Sequence, residues 1–128
     1  MGYRSEVKAI FYAPKEKCAA LKLYMDENFP KTGDLIPDED LTWFDRNGRC
    51  GYMFEADNVK WYPNYAEVIA FNVFVRAFLD IAEGENAEEL RWAYEFVRVG
   101  EEHDDIETTY AGDCNYVMSV KRTIETNF

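Results

Sequence analysis

The chain has 128 residues, of which 48% are hydrophobic and 16% aromatic. This length is typical of one domain, and the apolar content is high enough to form a core, which argues against a disordered chain. The formal net charge is −11, which argues against direct binding to a nucleic-acid backbone or to an anionic membrane. We therefore expect a single domain over residues 1–128 whose macromolecular partners, if any, are basic.

No segment has the pattern of a signal peptide or a membrane span. The most apolar stretch, Val68 to Leu79, is too short to cross a bilayer and contains polar Asn72 and Arg76. The N-terminal residues alternate charged and apolar side chains, unlike a signal peptide. A cytoplasmic location is therefore the expectation, with all three cysteines, at positions 18, 50 and 114, as buried free thiols.

The first half of the chain predicts a strand, a helix and a hairpin. Tyr3–Tyr12 alternates apolar and charged side chains, as expected of a strand with one covered face. A helix is predicted from Pro14 to about Asn28, because proline suits the first turn. Leu41–Phe44 and Cys50–Ala56 are predicted to pair, since the intervening Asn47-Gly48 is a strong hairpin signal. A short extended piece should follow over residues 59–62.

The second half predicts a long helix and then strands. Tyr65–Glu83 is apolar except for one narrow polar stripe, so we expect most of its circumference to be buried by the sheet or by a partner. Arg91–Val99 alternates and predicts a strand. Ile106–Tyr110 and Tyr116–Ile124 are predicted as closing strands, with Ala111-Gly112-Asp113 as the turn between them.

This order of elements predicts an α+β fold, in which an antiparallel sheet carries two helices on one face. The nearest named type is the ferredoxin-like split βαβ arrangement. Here it would have extra strands at the C-terminal end.

The acidic residues are concentrated in two segments. Residues 83–107 contain ten acids and two bases, and residues 31–45 contain five acids and one base. Two interpretations stay open: a solvated surface that keeps the protein soluble, and a docking face for a basic partner. The acids predicted to bind such a partner are Asp38, Glu39, Asp40, Glu101, Glu102, Asp104, Asp105 and Glu107.

The densest charged segment, Glu101-Glu102-His103-Asp104-Asp105, does not match a known metal motif. It lacks the spacing of an EF-hand loop, and the chain contains no HExxH. No serine or cysteine lies beside His103 to act as a nucleophile. The glycines form no phosphate-binding loop. We therefore expect no catalytic site, no metal and no cofactor.

Aromatic residues are concentrated just before the long helix. Trp61, Tyr62 and Tyr65 are residue types in which binding energy is often concentrated, although they also suit a core. We predict that Trp61 packs in the core and that Tyr62 and Tyr65 contact a partner. Arg98, on an otherwise apolar strand, is predicted to pair with an acid such as Glu55 or Glu95.

Three motifs resemble a recurring group of small phage and prophage proteins. They are Met1-Gly2-Tyr3-Arg4-Ser5-Glu6-Val7, Val59-Lys60-Trp61-Tyr62 before a helix, and the strand Phe96-Val97-Arg98-Val99-Gly100-Glu101. Together they span most of the chain. The resemblance implies a small α/β fold and a phage accessory role, and it assigns no catalytic residues.

Phage accessory proteins often bind and block host machinery. Our first hypothesis is a non-enzymatic phage protein that inhibits a basic host protein, such as a nucleic-acid-binding defence complex of the CRISPR type. It would act in the host cytoplasm as a monomer or homodimer. The alternatives are a small-ligand or metal-binding domain, and an oligomerisation module in which the Tyr65–Glu83 helix packs against a second copy.

Overall fold

The strands and the two longer helices follow the predicted order, and one short helix, Ala87–Leu90, was not predicted. The computed structural model describes residues 4–30, 41–102, 104–115 and 117–118, except for the side chain of Asn58. The strands and helices of these residues are β1 (Ser5–Pro14), a 3₁₀ turn (Lys15–Lys17), α1 (Cys18–Asn28), β2 (Leu41–Arg46), β3 (Arg49–Val59), α2 (Ala66–Ala82), α3 (Ala87–Leu90), β4 (Ala93–Gly100) and β5 (Ile106–Gly112).

The five strands form one antiparallel sheet in the order β2-β3-β1-β4-β5. The α+β class is therefore confirmed. Asn47 and Gly48 both have positive φ, at 54° and 75°, as the predicted hairpin requires. The predicted turn at Ala111-Gly112-Asp113 begins too early, because β5 continues to Gly112. Most of the predicted strand Tyr116–Ile124 lies outside the described residues.

The core is built on the odd-numbered residues of β1. Val7, Ala9, Phe11 and Ala13 are all fully buried, as the alternation predicts. The Phe11 ring lies 5.0–6.2 Å from five other aromatic rings. The same cluster contains buried side chains of α1 and α2, two residues of β4 and the tryptophan just before it: Leu21, Met25, Phe71, Phe74, Phe78, Tyr94, Phe96 and Trp92.

The second face of the sheet is also partly covered. Ile10, Tyr12 and Ala93 form a smaller buried cluster against which Cys114 and Met118 pack. The prediction of one covered face is therefore wrong for the C-terminal half of β1. The reason is tertiary, since residues that follow β5 in the sequence return across this face.

Helix α2 buries one side against the other described residues. Its buried residues include Val68, Phe71 and Phe78, whereas Ile69 and Val73 are 49% and 65% exposed. The described residues therefore cover only part of the circumference of α2, and burial of the rest by a partner stays a prediction. Among the described residues, no helix is both long and apolar enough to cross a membrane.

The cysteine prediction is wrong for two of the three residues. Cys18 and Cys50 are joined as a disulfide, with Cα atoms 6.0 Å apart, while Cys114 is a free, half-buried thiol. The pairing of β1 with β3 sets Cys50 opposite Ala13, just before the turn into α1. Spacing along the chain could not reveal this contact, because the sheet register creates it.

Candidate functional site

A cavity of about 410 Å³ lies between α2 and the edge strand β5. Residues from five separate parts of the chain line it: the connection before α2, α2 itself, β4, the β4–β5 turn and β5. They are Trp61, Tyr62, Pro63, Val68, Asn72, Val75, Tyr94, Phe96, Arg98, Asp105, Glu107 and Thr109. Predicted partner-binding residues from two distant segments, Tyr62 on one side and Asp105 and Glu107 on the other, therefore surround the same cavity.

Strand register places the charged side chains at this cavity. Arg98 is paired with Glu107, and Phe96 with Thr109. Directly opposed residues in an antiparallel pair point to the same face. Phe96 belongs to the main core, so Arg98, Glu107 and Thr109 lie on that same face, beside α2. β5 itself remains largely exposed.

Aromatic packing positions the connection before α2. The Trp61 ring lies 5.3 Å from that of Phe71 and 6.2 Å from that of Phe54, which agrees with its predicted packing against the core. The Tyr62 and Tyr65 rings meet edge to face at 5.0 Å. Trp61, Tyr62 and Tyr65 are each half-buried. The two tyrosines therefore still present part of their surface to solvent.

Arg98 is held by two carboxylates. Its Nη2 lies 2.9 Å from Asp105 Oδ1 and its Nε 3.0 Å from Glu107 Oε1. Nη1 donates to Ser5 Oγ at 3.1 Å. The hydrogen bond to Asp105 raises the pKa of Arg98, and partial burial opposes this. Only 17% of the arginine side chain is exposed, against 56% for Glu107.

The predicted pairing of Arg98 with an acid is confirmed, but both suggested partners are wrong. Glu55 instead contacts Lys8 at 3.5 Å. Glu95 differs from Arg98 by an odd number of positions on β4, so it points to the opposite face. The actual partners lie across the β4–β5 turn, where the register brings them close.

The remaining acids of the β4–β5 turn face solvent. Backbone hydrogen bonds close the turn, from Gly100 N to Asp105 O at 2.8 Å and from Asp105 N to Glu102 O at 3.1 Å. Glu101, Glu102 and Asp104 are exposed, and Glu101 also accepts from Arg4 N at 2.5 Å. The predicted acidic loop therefore divides into two acids bound to Arg98 and three that project outward. Asp38, Glu39, Asp40 and His103 lie outside the described residues.

A second cavity, of about 450 Å³, lies at the other end of α2 and β5. The sequence did not single out its residues. Arg91 Nε lies 2.9 Å from Asp113 Oδ2 there, and Gly112 N donates to Glu83 Oε2 at 3.3 Å. The lining residues are Ala82, Glu83, Ala87, Glu88, Arg91, Gly112 and Asp113. Across the two cavities, five acids face two arginines.

On the opposite face of the sheet, Glu95 is fully buried. Its carboxylate accepts from Tyr12 Oη at 2.5 Å, from Val117 N at 3.0 Å and from Met118 N at 2.9 Å. Burial and the hydrogen bond to Glu95 both raise the pKa of Tyr12. The sequence signal for this residue was a single acid within an apolar strand, but its partners arrive only through the return of the chain.

Two further observations bear on function. Within the described parts of the chain, no three His, Cys, Asp or Glu side chains are grouped so that they could hold a metal ion. Comparisons with family models, curated proteins and solved structures gave no match to this chain.

Proposed function

We propose that this chain is a phage-encoded, acidic, non-enzymatic interaction protein that binds and inhibits a basic host protein. The partner class that fits best is a nucleic-acid-binding defence complex, for example of the CRISPR type. The protein acts in the host cytoplasm, as a monomer or homodimer, without a cofactor and without contacting nucleic acid itself. The observation that carries the proposal is the convergence of Tyr62 with Asp105 and Glu107 at one cavity.

This convergence supports protein binding because it combines two complementary contributions. Partly exposed tyrosines supply contact area with little loss of conformational entropy. Acids around them attract a basic partner over longer distances and accelerate association. The three outward acids of the β4–β5 turn, Glu101, Glu102 and Asp104, extend this acidic surface beyond the cavity.

We also propose that the fold is ferredoxin-like, with β5 as an added strand and both helices on one face. The strand order β2-β3-β1-β4, with α1 between β1 and β2 and α2 between β3 and β4, agrees with that arrangement. Buried residues of α1 and α2 share one core cluster with the odd-numbered residues of β1. This supports placing both helices on the same side.

The proposal is tested by phage plating on bacteria that carry an active RNA-guided defence system. Expression of the wild-type chain should raise plaque formation. The triple variant Glu101→Lys, Glu102→Lys and Asp104→Lys should lose most of that effect, because it reverses the exposed acids and leaves the Arg98 cluster intact. The protein should also co-purify with a basic component of the defence complex, and this capture should weaken with added salt.

A matched control is the triple variant Glu27→Lys, Asp45→Lys and Glu55→Lys. It makes the same change in net charge at exposed positions away from the turn, so it should retain the activity. Equal loss in both variants would mean that overall charge, not this surface, attracts the partner. Absence of any effect by the wild-type chain across several such systems would reject the inhibitor proposal.

A further inference from the structure

A disulfide ties the start of α1 to β3. Cys18 is the first residue of α1 and Cys50 the second residue of β3. The two cysteines are 32 positions apart, so the bond closes a loop that contains α1, β2 and the Asn47-Gly48 turn. A cross-link across a loop of this size restricts the unfolded chain and thereby stabilises the folded one. Whether the bond is closed or open should therefore change the stability of the fold.

The two residues of this bond differ in their access to solvent. Cys50 is only 1% exposed, whereas Cys18 is half-buried and is followed by two exposed alanines. Disulfides are opened when an external thiolate attacks an accessible sulfur. Two of the three residues in the 3₁₀ turn before Cys18 are lysines, Lys15 and Lys17, and the N-terminal end of an α-helix carries a partial positive charge. Both features favour the approach of a thiolate to Cys18.

The backbone around the bond also suits the open form, in which both cysteines are thiols. Cys18 Sγ lies 3.5 Å from Pro14 O, and Cys50 Sγ lies 3.8 Å from Ala13 O. A thiol is a weak hydrogen-bond donor, whereas a disulfide sulfur has no proton to donate. The two carbonyl groups can thus accept from the thiols once the bond is open. The β1–β3 pairing that holds both carbonyl groups in place consists of backbone hydrogen bonds, so we expect the open form to stay folded.

We infer that the bond between Cys18 and Cys50 is a reversible thiol–disulfide exchange site, which a small-molecule thiol of the glutathione class opens and the corresponding disulfide closes. A first thiolate bonds to Cys18 Sγ, the bond to Cys50 breaks, and Cys50 leaves as a thiolate that takes up a proton. A second thiolate then attacks the sulfur of the bound small molecule, so that Cys18 is released and takes up a proton. Two small thiols are thereby oxidised to one disulfide, and the protein disulfide is reduced to two thiols. The site does not depend on the proposed partner, and the proposed cytoplasmic location would supply such thiols.

The test exposes the full, folded chain to buffers with graded ratios of reduced to oxidised glutathione. Samples are quenched in acid, alkylated in denaturant and weighed by mass spectrometry. The number of free thiols should rise from one, Cys114, to three as the buffer becomes more reducing, and it should return to one after transfer to an oxidising buffer. One free thiol in every buffer would mean an inert structural bond, and three in every buffer would mean that the bond does not form. Either result would overturn the inference.

Variants with a single remaining cysteine identify the attacked sulfur. Cys114→Ser alone is the control, because it removes a half-buried thiol on the opposite face of the sheet and should leave the exchange unchanged. In that background, Cys50→Ser should take up one glutathione at Cys18 from oxidised glutathione. Cys18→Ser leaves only the buried Cys50, which should react at least about tenfold more slowly. Equal rates for the two variants would overturn the assignment of Cys18 as the attacked residue.

Thermal unfolding measures the consequence of exchange for the fold. Reduction should lower the unfolding midpoint of the wild-type chain by about 10 °C, while its circular dichroism spectrum at room temperature stays that of the folded chain. Cys18→Ser should match the reduced wild type and should not respond to reductant. Loss of the folded spectrum on reduction would overturn the inference, because the bond would then be required for folding. If exchange takes place but the chain captures no basic protein, the proposed function alone is wrong.

Discussion

Two carboxylate clusters lie on opposite faces of strand β4, and their negative charges are stabilised by different partners. On one face, Glu95 is fully buried and accepts from the Tyr12 hydroxyl and two backbone N–H groups. On the other face, Asp105 and Glu107 share the half-buried Arg98. The first cluster binds Val117 and Met118, which follow β5 in the sequence, to this face of the sheet. The second lines a cavity that opens to solvent.

The two clusters should differ in how much each contributes to the stability of the fold. A buried carboxylate is tolerated only when hydrogen-bond donors satisfy it. If the carboxylate is removed, those donors stay buried without an acceptor, which lowers the stability of the fold. The Arg98 cluster has access to water, which can replace a lost partner at a smaller cost. We therefore assign Glu95 to stability and the Arg98 side of the strand to binding.

The largest expected effect comes from Glu95→Gln. The amide has one oxygen where the carboxylate has two, so at least one of the three donors faces an NH₂ group. We expect the free energy of unfolding to fall by about 2–3 kcal/mol, measured by urea denaturation. Glu55→Gln, at an exposed site of the same charge, should change it by less than about 0.5 kcal/mol. Equal effects at both positions would contradict the comparison.

Alkaline pH provides a second way to probe the Glu95 cluster. The pKa values of Tyr12 and Tyr94 are raised above 10.0 in the folded state, mainly by burial. The folded chain therefore retains phenol protons that the unfolded chain releases at high pH. The contribution of these two phenols to the free energy of unfolding is complete below pH about 10 and is lost as the pH rises further. Tyr12→Phe should make the decline of the free energy of unfolding with pH shallower, by up to about 1.4 kcal/mol per pH unit. Unfolding curves between neutral and alkaline pH measure that slope, and an unchanged slope would contradict the burial of this phenol.

Arg98→Met tests the other side of β4. The substitution keeps the length of the aliphatic stem but leaves Asp105 and Glu107 without their shared cation. Because both carboxylates reach solvent, we expect a loss of about 1–2 kcal/mol in the free energy of unfolding. This is smaller than the loss for Glu95→Gln. A larger loss would mean that the Arg98 cluster, and not Glu95, is the more important stabilising network.

The smallest effect on stability is expected for Glu107→Gln. Its side chain is 56% exposed, and Asp105 still pairs with Arg98. The free energy of unfolding, measured by thermal denaturation, should therefore change by less than about 0.5 kcal/mol. Capture of a basic component of the defence complex should nevertheless weaken. Loss of stability without loss of binding would reverse the roles that we assign to the two clusters.

Part of the candidate site could be predicted from the sequence. Tyr62, Asp105 and Glu107 were predicted as contacts from residue type and charge density alone, and the structure brings them to one cavity. Their proximity was not predictable, because it depends on the register that pairs Arg98 with Glu107. For the same reason the sequence suggested wrong partners for Arg98 and missed the contact of Cys18 with Cys50.

By itself, the sequence determined the elements that depend on local periodicity and turn chemistry. These include the alternation of β1, the Asn47-Gly48 hairpin and the position of α2. Only the tertiary structure decided which acids are paired, which are exposed and how Glu95 is satisfied. Local patterns specify which way a side chain points relative to its own element, but the partners of a charge come from strands and segments that are distant in sequence.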